Sequence, residues 1–188
     1  MRIISGLLKG KKIFEPNDIK TRPLKDLTKE SIFNILSHSK KFEINLNKAI
    51  VLDLFSGVGS FGIECLSRGV EKVIFVENYE GVLPVLKKNL DNLKINVNFE
   101  IIKKDIYKNE TILDLKSKFD IIFLDPPYKD KNIEKILSNL IINKSLKNNG
   151  IIILHRHKDD KESFLEKFQI IEEKKYGISK IIFLKSLD

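Results

Sequence analysis

AIVLDLFSGVGSFG, at residues 49–62, is the stretch that decides the fold of this chain. It begins with apolar, largely β-branched residues in a run too short for a helix, which is typical of a buried strand. The glycines that follow, Gly57, Gly59 and Gly62, have the spacing G-x-G-x-x-G, and the next residues predict the start of a helix. A strand, a glycine turn and a helix in this order indicate a nucleotide-binding unit, with a plain tight turn as the alternative.

Asp53 indicates which kind of cofactor this turn would bind. It lies at the carboxyl end of the predicted strand, directly before the glycine turn. A pyrophosphate bound on the turn would be repelled by the carboxylate. S-adenosylmethionine carries a sulfonium and an ammonium group and no phosphate, so a carboxylate attracts it. Asp53 therefore favours a methyl donor over a dinucleotide.

Size and composition narrow the class of protein. The chain has 188 residues, of which 42% are hydrophobic, and this suffices for the core of one domain. It has one cysteine and no apolar run of about 18 residues, so we expect a protein of the reducing cytoplasm without a membrane span.

The charge of the chain predicts a polyanionic partner. The formal net charge is +8, and residues 1–30 hold eight Lys or Arg against four Asp or Glu. This amounts to half of the net charge in under a sixth of the chain. We therefore expect a nucleic-acid contact surface near the amino terminus.

The rest of the chain alternates between predicted strands and helices. Strands are predicted at 49–55, 72–77, 99–103, 120–124 and 151–154, and helices at 61–68, 82–93 and 133–140. A short hairpin and a helix that begins at Thr21 and ends near Ser37 precede this series, and a helix at 164–167 and an antiparallel hairpin follow it. The pattern predicts a doubly wound α/β sheet, whose ligands bind outside the carboxyl ends of the strands.

Acidic residues lie at or directly beyond the carboxyl ends of the first four predicted strands. They are Asp53, Glu77, Asp105 and Asp125. Because the carboxyl ends of parallel strands meet at one edge of the sheet, we expect all four to face the same crevice. Glu77 is placed to bind a ribose hydroxyl pair, and Asp105 is placed to accept from an adenine amino group. Together they predict a cationic or donor-rich ligand.

Asp125-Pro126-Pro127-Tyr128 is the most specific motif in the chain. Two successive prolines remove two N–H donors and stiffen the main chain. The Asp125 carboxylate and the Pro126 carbonyl can then accept from the amino group of a purine base and turn its nitrogen lone pair toward a methyl donor. Tyr128 offers a ring for stacking an unpaired base.

These motifs resemble the RsmD-type methyltransferases, which methylate N2 of a guanine in small-subunit ribosomal RNA. The runs that carry the resemblance are RIISG (2–6), TRP (21–23), KESIFNIL (29–36), LDLFSGVG (52–59), GIECLSRG (62–69), DPPY (125–128) and YG (176–177). The resemblance implies a seven-stranded, Rossmann-like methyltransferase sheet at 41–188 that uses S-adenosylmethionine. It also implies a small hairpin-and-helix extension at 1–40, and the basic charge of this segment predicts that it contacts RNA.

The resemblance also implies roles for individual residues. The candidate cofactor-binding residues are Asp53, Phe55, Ser56, Gly57, Gly59, Glu77, Asn78, Asp105, Ile106 and Asp125. The candidate catalytic residues are Asp125, Pro126, Pro127 and Tyr128. The basic charge of residues 1–30, and not the resemblance, indicates the candidate RNA-binding residues Arg2, Lys11, Arg22, Lys25 and Lys29. Family members often carry a Glu after the fifth strand, where this chain has His155, Arg156 and His157. We predict no metal there, because no third or fourth ligand is evident.

The expected reaction is direct in-line methyl transfer to the guanine amino nitrogen, by a monomer acting on ribosomal RNA or the small subunit. Two alternatives stay open at this point. An adenine-N6 methyltransferase acting on DNA or RNA would use the same Asp-Pro-Pro-Tyr motif, and a dinucleotide-binding module would use the glycine turn without methyl chemistry.

Overall fold

The computed structural model describes residues 1–16, 24–94, 98–127, 130–160 and 164–187. Seven strands form its sheet: β1 (Ile50–Leu54), β2 (Lys72–Val76), β3 (Phe99–Ile102), β4 (Phe119–Leu124), β5 (Leu146–His157), β6 (Phe168–Tyr176) and β7 (Ser179–Ser186). They lie in the order β3-β2-β1-β4-β5-β7-β6. Strands β1 to β5 are parallel, and β7 is antiparallel to both of its neighbours.

Helices cover both faces of this sheet. They are α1 (Asp26–His38), α2 (Ser60–Ser67), α3 (Leu83–Asp91), α4 (Asn109–Leu113) and α5 (Ile133–Ile142), with short 3-10 turns at Leu46–Lys48 and Phe164–Lys167. In the described part of the chain, no helix has both the length and the apolar composition needed to cross a bilayer.

The core has two layers because successive side chains of a strand point to opposite faces. Val51 of β1 and Phe123 of β4 pack with α1, α2 and α3, whereas Leu52 and Leu124 of the same strands pack with α4 and α5. Burial on both faces explains why the sequences of the central strands are continuous apolar runs.

The amino-terminal hairpin packs onto the same core. Arg2 bridges to Lys12, and the N–H of Ile3 donates to the carbonyl of Lys11 at 3.0 Å. The carboxylate of Glu64 on α2 accepts from the N–H groups of Ile4 and Ser5 at 2.8 and 3.0 Å. The predicted hairpin is therefore present, and its backbone is bound to the helix that follows the glycine turn.

Most predicted elements agree with the structure within a few residues, and two do not. Strand β5 is much longer than the predicted 151–154. The prediction was too short because polar residues at both ends of the strand interrupt its apolar pattern. Its first half carries Lys147 and ends at Gly150, and its second half pairs with β7 through His155 and His157. Helix α4, with only five residues, was not predicted. The predicted beginning of the first helix at Thr21 lies outside the described residues, and α1 begins at Asp26.

Candidate active site

A cleft of about 1180 Å³ opens at the carboxyl ends of β1, β2, β4 and β5. Its lining includes predicted site residues at the ends of three of these strands. They are Asp53 in β1 and Phe55, Ser56 and Gly57 after it, Glu77 and Asn78 after β2, and Asp125, Pro126 and Pro127 after β4. The structure therefore brings together most of the residues that the sequence predicted for one site.

Asp53 lies below the glycine turn. It is only 1% exposed, and its Oδ2 accepts from the N–H of Gly62 at 2.9 Å. Burial raises the pKa of the Asp53 carboxyl well above its usual range, and the charges of Asp125 and Glu77 add to this increase, while the Gly62 N–H opposes it. A cation in the cleft would stabilise the ionised form of this group.

Glu77 connects the end of β2 to the glycine turn. One oxygen of its carboxylate accepts from the N–H of Gly57 at 2.8 Å, and the other accepts from the N–H groups of Asn78 and Tyr79 at 2.9 and 2.8 Å. The turn itself requires glycine: Gly59 has φ +85°, and a Cβ there would lie 2.6 Å from Cδ1 of Leu86.

The segment after β3 adds an unpredicted residue to the cleft. Three of the predicted cofactor-binding residues, Gly59 in the glycine turn and Asp105 and Ile106 after β3, are not among those that line it. The carboxylate of Asp105 accepts from the N–H of Tyr107 at 3.0 Å, and Ile106 is buried in the core. Tyr107, which the sequence did not single out, lines the cleft instead, with its ring centroid 5.6 Å from that of Phe55.

The Asp125-Pro126-Pro127 segment lies between β4 and the cleft. The N–H of Asp125 donates to the carbonyl of Leu54 at 3.4 Å, so the segment follows the end of β1 as well. Oδ1 of Asp125 lies 2.7 Å from Nδ1 of His155 on β5. Tyr128, the fourth residue of the motif, lies outside the described residues.

Asp130 stabilises this segment from its far end. Its N–H donates to the carbonyl of Pro127 at 2.8 Å, and its carboxylate accepts from the hydroxyl of Tyr107. Nη2 of Arg156 donates to its carbonyl oxygen at 3.0 Å. Burial raises the pKa of Tyr107, and the hydrogen bond to Asp130 adds to this, so the phenol stays a neutral donor. Nothing in the sequence indicated this network, because its members belong to no motif.

The five predicted RNA-binding residues have different environments. Arg2 is largely exposed, and Lys25 lines the cleft. Nζ of Lys11 donates to the carbonyl of Leu93 at 2.7 Å. Arg22 lies outside the described residues.

The structure corrects the prediction for Lys29. Its side chain is completely buried, and its ammonium group donates to the carbonyl of Arg2 at 2.7 Å and lies 3.7 Å from Oε2 of Glu64. It is therefore a core residue, not a contact for RNA phosphate. The sequence pattern concealed this because a lysine on a helix is ordinarily exposed.

His157 is less buried than His155 and lies 3.6 Å from Oδ2 of Asp159. Within the described ranges, no group of three or more His, Cys, Asp or Glu side chains is arranged to hold a metal ion.

Comparison with known proteins identifies the family. Residues 1–185 match the family described as Conserved hypothetical protein 95. A Haemophilus influenzae protein named ribosomal RNA small subunit methyltransferase D is 36% identical, over 95% of this chain and 90% of that protein.

Solved structures agree with this assignment. A Haemophilus influenzae protein described provisionally as a methylase has a TM-score of 0.74 and 33% identity, over 100% of this chain and 98% of that chain. An Escherichia coli protein described provisionally as a methyltransferase has a TM-score of 0.79 and 25% identity, over 99% of this chain and 97% of that chain. The predicted seven-stranded methyltransferase sheet is therefore confirmed. The chain belongs to the Conserved hypothetical protein 95 family, which is the family of the ribosomal RNA small subunit methyltransferase D proteins, as its sequence motifs predicted.

Proposed function

We propose that this protein transfers a methyl group from S-adenosylmethionine to the N2 amino group of a guanine in small-subunit ribosomal RNA. The observation that carries this proposal is the location of Asp125, Pro126 and Pro127 on the wall of a cleft formed by the glycine turn. The name of the Haemophilus relative supports the choice of small-subunit RNA as the substrate. The reaction would take place in the cytoplasm and require one copy of the chain.

The residues of the cleft fit S-adenosylmethionine, which supplies a methyl group bound to a cationic sulfur. Asp53, Glu77 and Asp125 give the cleft negative charge. The charges of Glu77 and Asp125 add to the burial that raises the pKa of Asp53, and a cation in the cleft would relieve this added repulsion. Glu77 already accepts three N–H groups, but a carboxylate offers about four lone-pair sites, so it can still accept from a ribose hydroxyl.

The adenine would lie against aromatic side chains. Phe55 and Tyr107 both line the cleft, and the hydroxyl of Tyr107 is bound to Asp130, which restrains its ring. We therefore assign the contact with adenine to these two side chains, in place of the predicted Asp105 and Ile106. Restrained rings lose little conformational entropy when a base packs on them.

Asp125 would act directly on the target base. The lone pair of the guanine amino nitrogen is delocalised into the ring, which makes the nitrogen a poor nucleophile. Hydrogen bonds from its two N–H groups to the Asp125 carboxylate and the Pro126 carbonyl would draw the nitrogen toward tetrahedral geometry. These bonds strengthen as the nitrogen becomes cationic, so they lower the barrier by positioning and by electrostatic stabilisation.

Substitution of Asp125 tests this assignment. Asp125→Ala should reduce kcat by ~10²-fold to ~10³-fold, while the affinity for S-adenosylhomocysteine stays close to that of the unmodified protein. Asp91→Ala, which removes an exposed carboxylate on α3, is the matched control. Methyl transfer is measured with assembled small subunits, free ribosomal RNA and duplex DNA. Near-normal turnover by Asp125→Ala would remove the catalytic role, and methylation of adenine would favour the N6 alternative.

The extension at 1–40 would hold the RNA through exposed cations. Arg2 and Lys25 are the best placed of the described candidates, because one is largely exposed and the other lies at the cleft. Replacing both with Ala should make the slope of log K for RNA binding against log salt concentration less steep by ~1.4. Each lost phosphate contact with a single strand accounts for ~0.7 of this change. Lys135→Ala on α5 is the control for the loss of one exposed charge. An unchanged salt dependence of the double variant would argue against this surface.

A further inference from the structure

His155 lies in the second half of β5, opposite Ile181 of β7, and is 6% exposed. Its ring lines the cleft, and its Nδ1 is 2.7 Å from Oδ1 of Asp125. An ionised carboxylate can only accept a hydrogen bond, so the proton of this pair belongs to Nδ1. A neighbouring strand thus provides a donor that orients the carboxylate of Asp125.

We propose that His155 is a positioning residue for Asp125 and that protonation of His155 slows methyl transfer. This inference rests on the proposed function. In the neutral form, Nδ1–H holds Oδ1 and leaves Oδ2 free to accept from the base amino group. A second proton on the ring places a positive charge beside the carboxylate. The carboxylate then attracts a nitrogen that is becoming cationic less strongly.

Other charged and titratable groups also face this cleft. They are Lys25 before α1, Asp53 at β1, Glu77 and Tyr79 after β2, Tyr107 after β3, Asp125 itself after β4, and His157 and Asp160 at and beyond the end of β5. Any of them can contribute to a pH profile. The contribution of His155 is isolated by comparing its variants with those of His157, a second histidine on the same strand and cleft.

The experiment measures kcat with saturating S-adenosylmethionine and small subunits in a series of buffers between pH ~5 and ~8. His155→Asn keeps an N–H close to the position of Nδ1 but cannot titrate. We expect it to retain activity at pH 8 and to lose the acid limb of the profile. His155→Leu removes the donor and should lower kcat ~10-fold to ~100-fold at pH 8, as expected for a lost hydrogen bond to a charged group, without weakening cofactor binding. His157→Asn should keep the acid limb.

Two results would overturn the role of His155 alone. One is an unmodified protein without an acid limb, and the other is an acid limb that persists in His155→Asn while Asp125→Ala is inactive. Near-normal turnover by Asp125→Ala would instead remove the proposed site and this inference with it. Circular dichroism and calorimetry with S-adenosylhomocysteine establish that each variant is folded. Should His155→Leu fail to fold, His155→Asn decides the question.

Discussion

Replacing Lys29 with Met should destabilise the protein at the junction of the amino-terminal extension and the core. Lys29 on α1 and Glu64 on α2 have completely buried side chains, with 3.7 Å between Nζ and Oε2. Nζ of Lys29 also donates to the carbonyl of Arg2 at 2.7 Å. Lys29 therefore connects the hairpin, α1 and α2 through one ammonium group, and Met of similar length fills its space without that charge.

The cost of this change can be worked from the contacts. Removing one member of a buried ion pair typically costs ~3–5 kcal/mol, because the remaining charge is left uncompensated. Glu64 would keep the N–H groups of Ile4 and Ser5 and the guanidinium of Arg68 at 2.9 Å, which reduces the cost. The substitution also removes the burial cost of the ammonium group, which is the cost that lowers the pKa of Lys29. We therefore expect the free energy of unfolding to fall by ~1–3 kcal/mol, mainly through the lost donor to the carbonyl of Arg2.

The measurement is urea-induced unfolding followed by circular dichroism. Lys40→Met, which removes an exposed lysine just beyond α1, is the matched control and should change the free energy of unfolding by less than ~0.5 kcal/mol. If Lys29→Met is no less stable than Lys40→Met, the buried ion pair contributes nothing and the reasoning is refuted.

The difference in stability between the unmodified protein and Lys29→Met should depend on pH. Burial lowers the pKa of Lys29 below its usual 10.5, and Glu64 only partly opposes this. Between the lowered folded-state pKa and 10.5, the unfolded chain therefore binds more protons at this site than the folded chain. The stability of the unmodified protein should rise with pH through this window relative to that of Lys29→Met. A difference between the two proteins that stays constant with pH would contradict the lowered pKa.

Two further predictions concern the glycine turn and the carboxylate beneath it. Gly59→Ala should cost ~1–3 kcal/mol more than Gly10→Ala, because both residues have positive φ but only the Cβ at 59 meets a close neighbour, Cδ1 of Leu86 at 2.6 Å. Urea unfolding of both variants measures the difference, and equal losses would refute the steric argument. Burial raises the pKa of Asp53, with the charges of Asp125 and Glu77 adding to it, so cofactor affinity should rise with pH through that pKa. Asp53→Asn should bind more weakly and flatten this rise in a calorimetric pH series, and parallel profiles would contradict the assignment.

Sequence pattern was most informative where neighbouring residues carry the signal. The strand, glycine turn and helix at 49–62 were predicted because apolar periodicity and glycine spacing are local properties. Glu77 and Asp125 could be placed at the same edge of the sheet because parallel strands connected by helices end on the same side. The structure brings both residues to one cleft with Asp53.

Sequence pattern failed where burial decides the role of a charged residue. Lys29 was predicted to contact RNA, since a cation in a basic segment is ordinarily exposed, yet its side chain has no exposed surface. Tyr107 was not predicted either, because it belongs to no motif. A turn in which its N–H donates to the carboxylate of Asp105 places Tyr107 on the wall of the cleft.

The sequence by itself therefore determined the parallel α/β order, the family and the acidic cleft at the strand ends, since each follows from short segments and their succession along the chain. Only the tertiary structure decided that His155 contacts Asp125, 30 residues away, that Tyr107 binds Asp130, and that Lys29 reaches Glu64. Such pairs come from separate elements and carry no periodic or motif signal. Their partners are set by the packing of the whole sheet and its helices.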